Sequence, residues 1–293
     1  MTENIEVGFV GLGDIGKPMA TRLAGQQEAA GLALTVFDLA PGPVEELVQA
    51  GAKAAESVAA LAAGCDVVCV MVNNDQQVRS VVEEVLAAPV RTDGLTVVVH
   101  STVAPGTPAD LAELAQGTGV RIVDAPVSGG AMGAGTGELA IMVGGTEDAY
   151  DAVRPVLAAM AAKVVHAGPV GAGTRFKLAR NMMHFVAFTA ATEAQRLAEA
   201  AGLDIVALGD VVRHTDAITG GPGAIMHRDT TAPIPRGDFW EGVFGHARAL
   251  GEKDLSFAIS LADELGVDVP LARIALDRLG PGLGLQDPEE SDD

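Results

Sequence analysis

A glycine-rich turn near the N-terminus constrains the fold of this chain more than any other feature. The β-rich run Ile5–Val10 leads directly into this turn, and helix-compatible residues follow it. In a strand–Gly-x-Gly-x-x-Gly–helix unit, the first glycine permits a tight turn, the second lets the backbone approach a pyrophosphate, and the third lets the helix pack on the strand. We therefore predict that a dinucleotide binds at this turn, which consists of Gly11, Leu12, Gly13, Asp14, Ile15 and Gly16.

A second apolar run, Leu34–Phe37, ends in an acidic residue, Asp38. An acidic residue about 20 positions beyond the glycines is typical of the side chain that binds the ribose 2′-hydroxyl of NAD. A carboxylate repels the 2′-phosphate of NADP, and the next residues, Leu39 and Ala40, supply no basic group. The sequence therefore predicts NAD as cofactor, with NADP less favoured. The alternative is that Asp38 only caps or shapes the turn before Pro41.

Apolar runs and helix-compatible segments alternate through the first 170 residues. The later runs predicted as strands span residues 66–72, 95–99, 120–123, 140–143 and 163–165. Such alternation is typical of an α/β protein with a doubly wound parallel sheet, whose ligands bind beyond the carboxyl ends of the strands. That rule adds Asn73 and Thr102 to the predicted site, together with a glycine-rich stretch that contains Ser128, Gly129 and Gly130. A hydroxyl beside exposed N–H groups suits a carboxylate; the alternative is a flexible linker.

The stretch Gly171–Asn181 separates the predicted sheet from a helical second half. Residues 174–201 contain no glycine or proline, which predicts a helix roughly 40 Å long at 1.5 Å per residue. Lys177 and Asn181 lie four residues apart and share one face of this helix. A cation one turn from an amide suits a carbonyl or hydroxyl substrate; the alternative is an ordinary solvated lysine. Since the helix is apolar nearly all round, we expect it to be largely buried, in part by a partner subunit.

The sequence predicts three regions. Residues 1–170 form a dinucleotide-binding domain, residues 171–280 an all-helical domain for substrate binding and dimerisation, and residues 281–293 an acidic disordered tail. Within the second region, further helices are predicted at residues 205–214, 239–250, 253–265 and 270–279. Residues 219–238 are rich in glycine and proline, and a loop of this length is often functional.

Composition excludes several classes of partner. The net charge is −20, which argues against nucleic acids and anionic membranes because both require a basic surface. The N-terminus lacks a signal-peptide pattern and every apolar run is too short to span a bilayer, so we predict a cytoplasmic protein. On an extended strand Cys65 and Cys69 would lie roughly 13 Å apart, beyond disulfide reach. We interpret them as small buried apolar residues rather than ligands of a metal.

Four stretches in this order resemble the β-hydroxyacid dehydrogenase family, which includes 3-hydroxyisobutyrate dehydrogenase and tartronate semialdehyde reductase. They are G-F-V-G-L-G-D-I-G at 8–16, D-A-P-V-S-G-G at 124–130, G-x-G-x-x-x-K-x-x-x-N at 171–181 and K-D-L at 253–255. The resemblance covers nearly the whole chain except the tail. It implies a Rossmann domain, a helical second domain of the 6-phosphogluconate dehydrogenase type, a site in the cleft between them, and dimers or tetramers packed through the second domain.

The resemblance also implies roles for the substrate end of the site. Ser128, Gly129 and Gly130 would hold the substrate carboxylate. Lys177 would be the acid/base, and Asn181 would orient the substrate. In the oxidative direction the lysine must accept a proton, and burial together with the positive end of its own helix would favour the neutral amine.

On the cofactor side, the resemblance places Thr102 near the nicotinamide and Lys253 and Asp254 in the cleft near the cofactor; the alternative for the last two is a charge pair at a helix N-terminus. The chain departs from the family at two positions. Asn73 stands in a loop that is usually Leu-Pro, and His246 stands where the family commonly has phenylalanine. Since the second position faces the substrate in relatives, we expect His246 to change specificity. The alternative is a shift of register that turns His246 outward and lets Phe244 fill the gap.

The sequence therefore predicts an NAD(P)-dependent dehydrogenase that transfers a hydride between a nicotinamide cofactor and a small 3-hydroxyacid or its semialdehyde. A non-catalytic dinucleotide-binding scaffold on the same fold is the alternative from another class, and Lys177 and Asn181 count against it. An imine-reductase-like enzyme is a second alternative. The imine reductases related to this family lack the lysine found here, which counts against this alternative.

Overall fold

The computed structural model describes residues 4–89 and 94–286. These residues divide into two compact units, with the boundary between Arg180 and Asn181. We refer to them as the sheet unit and the helical unit. The sequence placed the boundary between residues 170 and 171. The difference arises because the first turns of the long helix pack with the sheet unit.

The sheet unit contains one mixed sheet. Its strands, within the described residues, are β1 (Ile5–Val10), β2 (Leu32–Phe37), β3 (Lys53–Ala54), β4 (Val67–Val70), β5 (Thr96–Val99), β6 (Arg121–Asp124), β7 (Val127–Ser128), β8 (Leu139–Gly144) and β9 (Ala161–Gly168). The strand order is β3-β2-β1-β4-β5-β6-β8-β7, and β9 pairs with β8. Strands β1 to β6 pair in parallel. The predicted α/β fold class is confirmed.

The far edge of the sheet differs from the prediction of a parallel sheet. Strand β8 runs antiparallel to both β6 and β7, and β9 runs parallel to β8. The pairing of β6 with β8 joins Asp124 to Gly144. A parallel pair requires a crossover connection between its two strands. The chain between β6 and β8 instead reverses direction through β7 and a short helix, so β8 runs antiparallel to β6.

Helices cover both faces of the sheet. They are α1 (Gly16–Ala24), α2 (Gln27–Ala30), α3 (Pro41–Gln49), α4 (Val58–Ala62), α5 (Asp75–Ala87), α6 (Thr107–Leu114), α7 (Gly130–Thr136) and α8 (Glu147–Ala158). Three of them begin at side-chain caps: Ser57, Asn74 and Thr146 each accept a backbone N–H of the first turn.

Alternate residues of the central strands fill two separate cores. Val98 belongs to one cluster of buried side chains, whereas Val97 and Val99 belong to the other. Successive side chains of a strand point to opposite faces, so the two clusters lie on the two faces of the sheet. This explains why β4 is apolar throughout and β5 is apolar after Thr96, as strands covered on both faces must be.

The helical unit is built from long helices. They are α9 (Ala172–Ala200), whose first residues belong to the sheet unit, α10 (Ile205–Thr219), α11 (Phe239–Leu265) and α12 (Pro270–Gly282), with a 3₁₀ turn at Gly221–Ile225. Two predicted helices, 239–250 and 253–265, are one continuous helix. Gly251, which lies between the two predicted helices, packs against α12: a Cβ there would lie 2.6 Å from Leu279 Cδ2. This glycine serves close helix packing rather than a turn.

The C-terminal region differs from the predicted tail. Helix α12 extends to Gly282, and Leu283 is buried against Ile234 and Phe244. The backbone N–H of Ile234 donates to the Gly284 carbonyl at 2.8 Å. Residues 281–286 are therefore part of the helical unit. Residues 287–293 of the predicted tail lie outside the described residues.

Helix α9 is less buried in this chain than its apolar sequence predicts. Its exposed fractions are 69% at Met182, 59% at Phe185 and 54% at both Val186 and Phe188. One chain by itself does not bury this helix, and burial by a partner subunit stays a prediction. Among the described residues, no helix is long and apolar enough to cross a membrane.

Candidate active site

The glycine turn after β1 has the geometry that its sequence predicts. Gly11 has a φ of +93°, and a Cβ there would lie 2.2 Å from the Met71 carbonyl oxygen. A Cβ at Gly16 would lie 2.0 Å from the Gly11 carbonyl oxygen, whereas a Cβ at Gly13 would meet no atom within 4 Å. The first and third glycines are thus required by the turn itself. The second leaves open the space through which a pyrophosphate could approach the start of α1.

Asp38 holds the glycine turn from the end of β2. One carboxylate oxygen accepts the N–H of Leu12 at 2.6 Å, and the other accepts the N–H of Ala40 at 2.8 Å. The turn-shaping alternative is therefore present in the structure. It does not exclude contact with a ribose, because each carboxylate oxygen can accept a second hydrogen bond.

A cavity of about 360 Å³ lies beside the glycine turn and Asp38. Its apolar wall includes Val58, Val72 and Val81, and its polar wall comprises Asn73, Gln77, Ser80 and Glu84. An apolar slot with a carboxylate at its edge fits the adenosine half of a nicotinamide dinucleotide. Gln77, Ser80 and Glu84 lie on α5 and were not identified from the sequence. The only sequence feature that could have indicated these three residues is that α5 follows β4 directly, at the end of the sheet where ligands bind.

Lys177 lies on the second turn of α9 and is 8% exposed. Its Nζ donates to the carbonyl oxygen of Val127 at 2.5 Å and to Oγ of Ser128 at 2.8 Å. Burial, and secondarily the charge of Arg180, lowers the pKa of Lys177 to about 8. The sequence alternative of an ordinary solvated lysine is wrong. The structure brings this amine to the Ser-Gly-Gly segment in a protonation equilibrium near neutral pH.

The Ser-Gly-Gly segment is structured. Ser128 ends β7, and Gly130 begins α7. The φ angles of Gly129 and Gly130 are +132° and +64°, values that side chains disfavour. The predicted alternative of a flexible linker is therefore wrong. The two glycines allow the chain to turn directly from the strand that carries Ser128 into a helix.

The end of β5 presents one exposed and two buried polar side chains. Ser101 is buried and its hydroxyl exchanges hydrogen bonds with the backbone of Val72, at 2.8 Å to each of N and O. It ties the loop after β5 to the loop after β4 and leaves Thr102 exposed. His100 is fully buried, its Nδ1 lies 2.8 Å from the Ala125 carbonyl oxygen, and burial lowers its pKa to about 4. His100 therefore stays neutral in the range where Lys177 titrates.

The remaining predicted site residues lie in the helical unit. Asn181 is half-buried on α9, one turn beyond Lys177, and His246 is exposed on α11. Lys253 and Asp254, also on α11, form an exposed ion pair at 3.2 Å. They lie in the middle of a 27-residue helix, so the alternative of a charge pair at a helix N-terminus is wrong. The roles of all four residues stay predictions.

The two cysteines behave as small apolar residues. Cys65 and Cys69 are free and buried. Burial raises the pKa of both thiols, that of Cys65 to about 12. A thiol that stays protonated is a poor nucleophile and a poor metal ligand. This agrees with the interpretation of both residues as core side chains.

The fold and the geometry define a dinucleotide-binding oxidoreductase with a buried lysine. Two family models match the chain. The NAD-binding domain of 6-phosphogluconate dehydrogenase matches residues 6–168, and the NAD-binding domain of NADP-dependent 3-hydroxyisobutyrate dehydrogenase matches residues 171–279. The chain belongs to the β-hydroxyacid dehydrogenase family and is an NAD(P)-dependent oxidoreductase that acts on a hydroxyl group.

Individual relatives cover nearly the whole chain. An uncharacterized oxidoreductase of Mycobacterium tuberculosis is 48% identical, over 98% of this chain and 96% of its own length. The NAD-dependent L-serine dehydrogenase of Pseudomonas aeruginosa is 35% identical, over 92% and 90%. The crystal structure of a putative oxidoreductase from Mycobacterium avium is 48% identical with a TM-score of 0.91, over 96% of this chain and 99% of that one.

Imine reductases share the fold at low identity. The enzyme from Myxococcus stipitatus is 17% identical with a TM-score of 0.73, over 97% of both chains. At this identity the likeness shows the fold alone. The family models and the relatives above place this chain with the dehydrogenases.

Proposed function

We propose that the protein interconverts a small 3-hydroxyacid and its semialdehyde with NAD as cofactor and Lys177 as acid/base. One observation carries this proposal. The Lys177 amine is buried, lies 2.8 Å from Ser128 Oγ, and has a pKa of about 8. A group of this pKa can both accept and return a proton at working pH.

Lys177 handles the proton of the reacting hydroxyl. As the neutral amine it takes that proton during oxidation. As the ammonium it returns the proton during reduction and stabilises the negative charge that develops on the oxygen. The two acceptors of Lys177, Val127 O and Ser128 Oγ, fix the amine in one position, which reduces the reorganisation needed at each turnover.

A nicotinamide cofactor supplies the hydride chemistry when it is bound. Two carboxylates favour NAD over NADP: Asp38, which holds the glycine turn, and Glu84, which lines the same cavity. Both would repel a 2′-phosphate. The family model for the second half of the chain refers to an NADP-dependent enzyme and the serine dehydrogenase to NAD, so direct measurement of both cofactors is required.

The substrate carboxylate is assigned to Ser128, Gly129 and Gly130. The Ser128 hydroxyl can donate to it, and Gly129 and Gly130 have no side chains that would shield their N–H groups. A carboxylate held there would place a nearby hydroxyl within reach of Lys177. Thr102 at the end of β5 is assigned to the nicotinamide side, Asn181 to substrate orientation, and Lys253 and Asp254 to the cofactor.

A second copy of this chain is the proposed partner. Large apolar side chains are exposed on α9, and the helical unit has an apolar groove of about 470 Å³ lined by residues of α9, α11 and α12. Apolar surface of this extent is typical of interfaces. A homodimer or homotetramer would cover it. A cytoplasmic location, without nucleic-acid or membrane partners, stays a prediction from the sequence.

A substrate panel tests the proposal. L-serine, 3-hydroxyisobutyrate and 2-(hydroxymethyl)glutarate, which are substrates in the names of relatives, are assayed with NAD and with NADP by absorbance of the reduced cofactor. We expect turnover of at least one hydroxyacid and a kcat/KM with NAD at least tenfold above that with NADP, or about 1.4 kcal/mol. Equal kcat/KM values with the two cofactors, or a preference for NADP, would show that Asp38 and Glu84 do not select NAD over NADP.

A further inference from the structure

Asp124, at the carboxyl end of β6, is fully buried. Its carboxylate lies between this strand and the start of α9. Its Oδ1 accepts the N–H of Gly171 at 2.6 Å, and its Oδ2 accepts the N–H of Thr174 at 2.6 Å. Gly171 directly precedes α9 and Thr174 lies in its first turn, 47 and 50 residues further along the chain. Asp124 therefore caps α9 from a strand of the sheet rather than from a residue next to the helix.

The beginning of α9 also touches the sheet backbone directly. A Cβ at Gly173 would lie 2.2 Å from the Met142 carbonyl oxygen and 2.7 Å from that of Asp124. A Cβ at Gly144, the partner of Asp124 in the β6–β8 pair, would lie 2.3 Å from Asp124 Oδ1 and 2.8 Å from the Gly173 N. At Gly173 and Gly144 the backbone of the helix therefore meets the backbone of the strands directly, and the Asp124 carboxylate joins the two. A small displacement of the start of α9 therefore cannot be accommodated by flexible side chains and has to move backbone atoms.

Two ties with equal spacing connect the helix to the chain that follows β6. Asp124 holds Thr174, and three residues later on each segment the carbonyl of Val127 holds the Lys177 amine at 2.5 Å. Both ties join residues 50 apart. Together with the segments 124–127 and 174–177, the two ties form a closed ring of contacts, which we call the frame. Asp124 lies at one end of the frame and the Lys177 amine at the other.

We propose that Asp124 is a positioning residue that fixes the start of α9 on the sheet and thereby sets the place of the Lys177 amine beside Ser128. The inference rests on the proposed function for its catalytic consequence, but the frame itself can be tested without turnover. Asp124 does not touch the amine. Its effect is transmitted through the first turn of α9.

A carboxylate is required because both of its oxygens act as acceptors. The N-terminus of a helix carries partial positive charge and N–H groups without intrahelical partners. An asparagine has nearly the same size but only one acceptor oxygen, and its NH₂ group would face an N–H group. Asp124→Asn thus removes one tie while it preserves volume.

The first experiment measures the Lys177 amine itself. Wild type and Asp124→Asn are labelled with trace acetic anhydride across a pH series, and peptide mass spectrometry gives the extent of acetylation at each lysine. Exposed Lys163 on β9 serves as reference within the same digest. We expect the Lys177 profile to move from a pKa of about 8 towards its ordinary value of 10.5, because loosening the joint exposes the amine to water.

A matched variant controls for the loss of a helix cap. Glu193→Gln makes the same chemical change at the start of α12, where the two oxygens of the buried Glu193 carboxylate accept the N–H groups of Leu271 and Ala272. It is expected to leave the Lys177 profile unchanged. An unchanged profile in a folded Asp124→Asn protein, or a shift to lower pH, would overturn the proposal, since the second result would mean that Asp124 acts by charge alone.

The second experiment measures turnover on the hydroxyacid that the substrate panel identifies. We expect Asp124→Asn to lower kcat by roughly 10²-fold, as for a misplaced catalytic group, with the Kd for NAD unchanged. In a Lys177→Ala background, Asp124→Asn should lower kcat no further. A large additional loss would overturn the assignment of Asp124 to Lys177. Full activity of Lys177→Ala would instead refute the proposed acid/base and leave the labelling result standing.

Two measurements keep the proposal falsifiable if Asp124→Asn does not fold. Asp124→Ser replaces the two carboxylate oxygens with one hydroxyl oxygen. Its Lys177 labelling profile should shift to higher pH, as expected for Asp124→Asn, and an unchanged profile would overturn the proposal. Amide hydrogen exchange on the wild-type protein reports the two ties directly. The N–H groups of Gly171 and Thr174 should be as protected as those in the middle of β8; rapid exchange at both would overturn the inference.

Discussion

The sheet unit and the helical unit bury their apolar residues to very different extents. In the sheet unit, extensive clusters fill both faces of the sheet, and even Lys177 is nearly inaccessible. In the described part of the helical unit, the buried clusters are small, one of Ile234, Phe244 and Leu283 and one of Ile259, Ala262 and Val269. Many of its large apolar side chains are exposed.

This difference follows from architecture. A parallel sheet needs a layer on each face, and the helices that connect its strands supply both layers. The helices of the second unit have no such layer within their unit. The sheet unit can therefore position its polar groups by itself, whereas the helical unit is expected to complete its burial against a second copy. The predictions below test each side of this comparison.

Removing the lysine amine should have the largest effect. Lys177→Ala is expected to lower kcat by roughly 10²–10⁴-fold, the usual contribution of general acid–base catalysis, while the Kd for NAD stays the same. Lys163→Ala, which removes an exposed lysine of the same unit, is the control. A Lys177→Ala protein with more than a tenth of wild-type kcat would show that the sheet unit does not hold the acid/base.

The pH dependence should report the same amine. Burial lowers the pKa of Lys177 to about 8, so the neutral amine is lost as pH falls below that value. The rate of oxidation should then fall about tenfold per pH unit below pH 8, and the rate of reduction should fall above it. His100, with a pKa of about 4, does not account for such a limb. Profiles flat from pH 6 to 9 in both directions would contradict this assignment.

Charges on the exposed face of α9 should break the proposed interface. Wild type is expected to have a mass of two or four chains of 29.7 kDa by light scattering at micromolar concentration. The double variant Phe185→Glu, Phe188→Glu should be monomeric, since it places charges on apolar surface that a second copy would bury. Leu114→Glu, on an exposed position of α6 in the sheet unit, is the control. A monomeric wild type would refute the proposed partner.

Two glycines of one turn should separate folding from binding. Gly16→Ala places a Cβ 2.0 Å from a backbone oxygen and should destabilise the protein by about 1–3 kcal/mol in urea unfolding. Gly13→Ala meets no atom within 4 Å and should change stability by less than about 0.5 kcal/mol, yet weaken NAD binding measured by fluorescence. Equal effects of both variants on stability would disprove the separation.

The smallest expected effect concerns substrate choice. His246→Phe restores the residue common in the family and should shift preference towards hydroxyacids with an apolar side group. The cost to the native substrate should be roughly 1–3 kcal/mol in kcat/KM, the range for a lost polar partner. His214→Phe, an exposed histidine on α10, is the control. Unchanged ratios across the panel would mean that His246 does not contact the substrate.

Local signals in the sequence predicted most of the secondary structure. The Ser57 cap, the apolar strands β4 and β5 and the roles of Gly11 and Gly16 all depend on residues close together in the chain. Two predictions made from local sequence were wrong. Residues 251–252 were left out of the two helices predicted on either side of them, and residues 281–286 were predicted as tail. In sequence, a glycine that packs against a neighbouring helix looks like a turn, and a short segment that buries one leucine looks like a coil.

The sequence by itself determined the fold class, the dinucleotide turn and the lysine-bearing helix, because strand alternation, glycine spacing and helix periodicity are properties of adjacent residues. The tertiary structure alone decided which groups surround Lys177 and which carboxylate holds its helix. Val127 lies 50 residues from Lys177, and Asp124 lies 47 and 50 residues from Gly171 and Thr174. Contacts at that separation depend on how strands and helices pack, and no local preference encodes them.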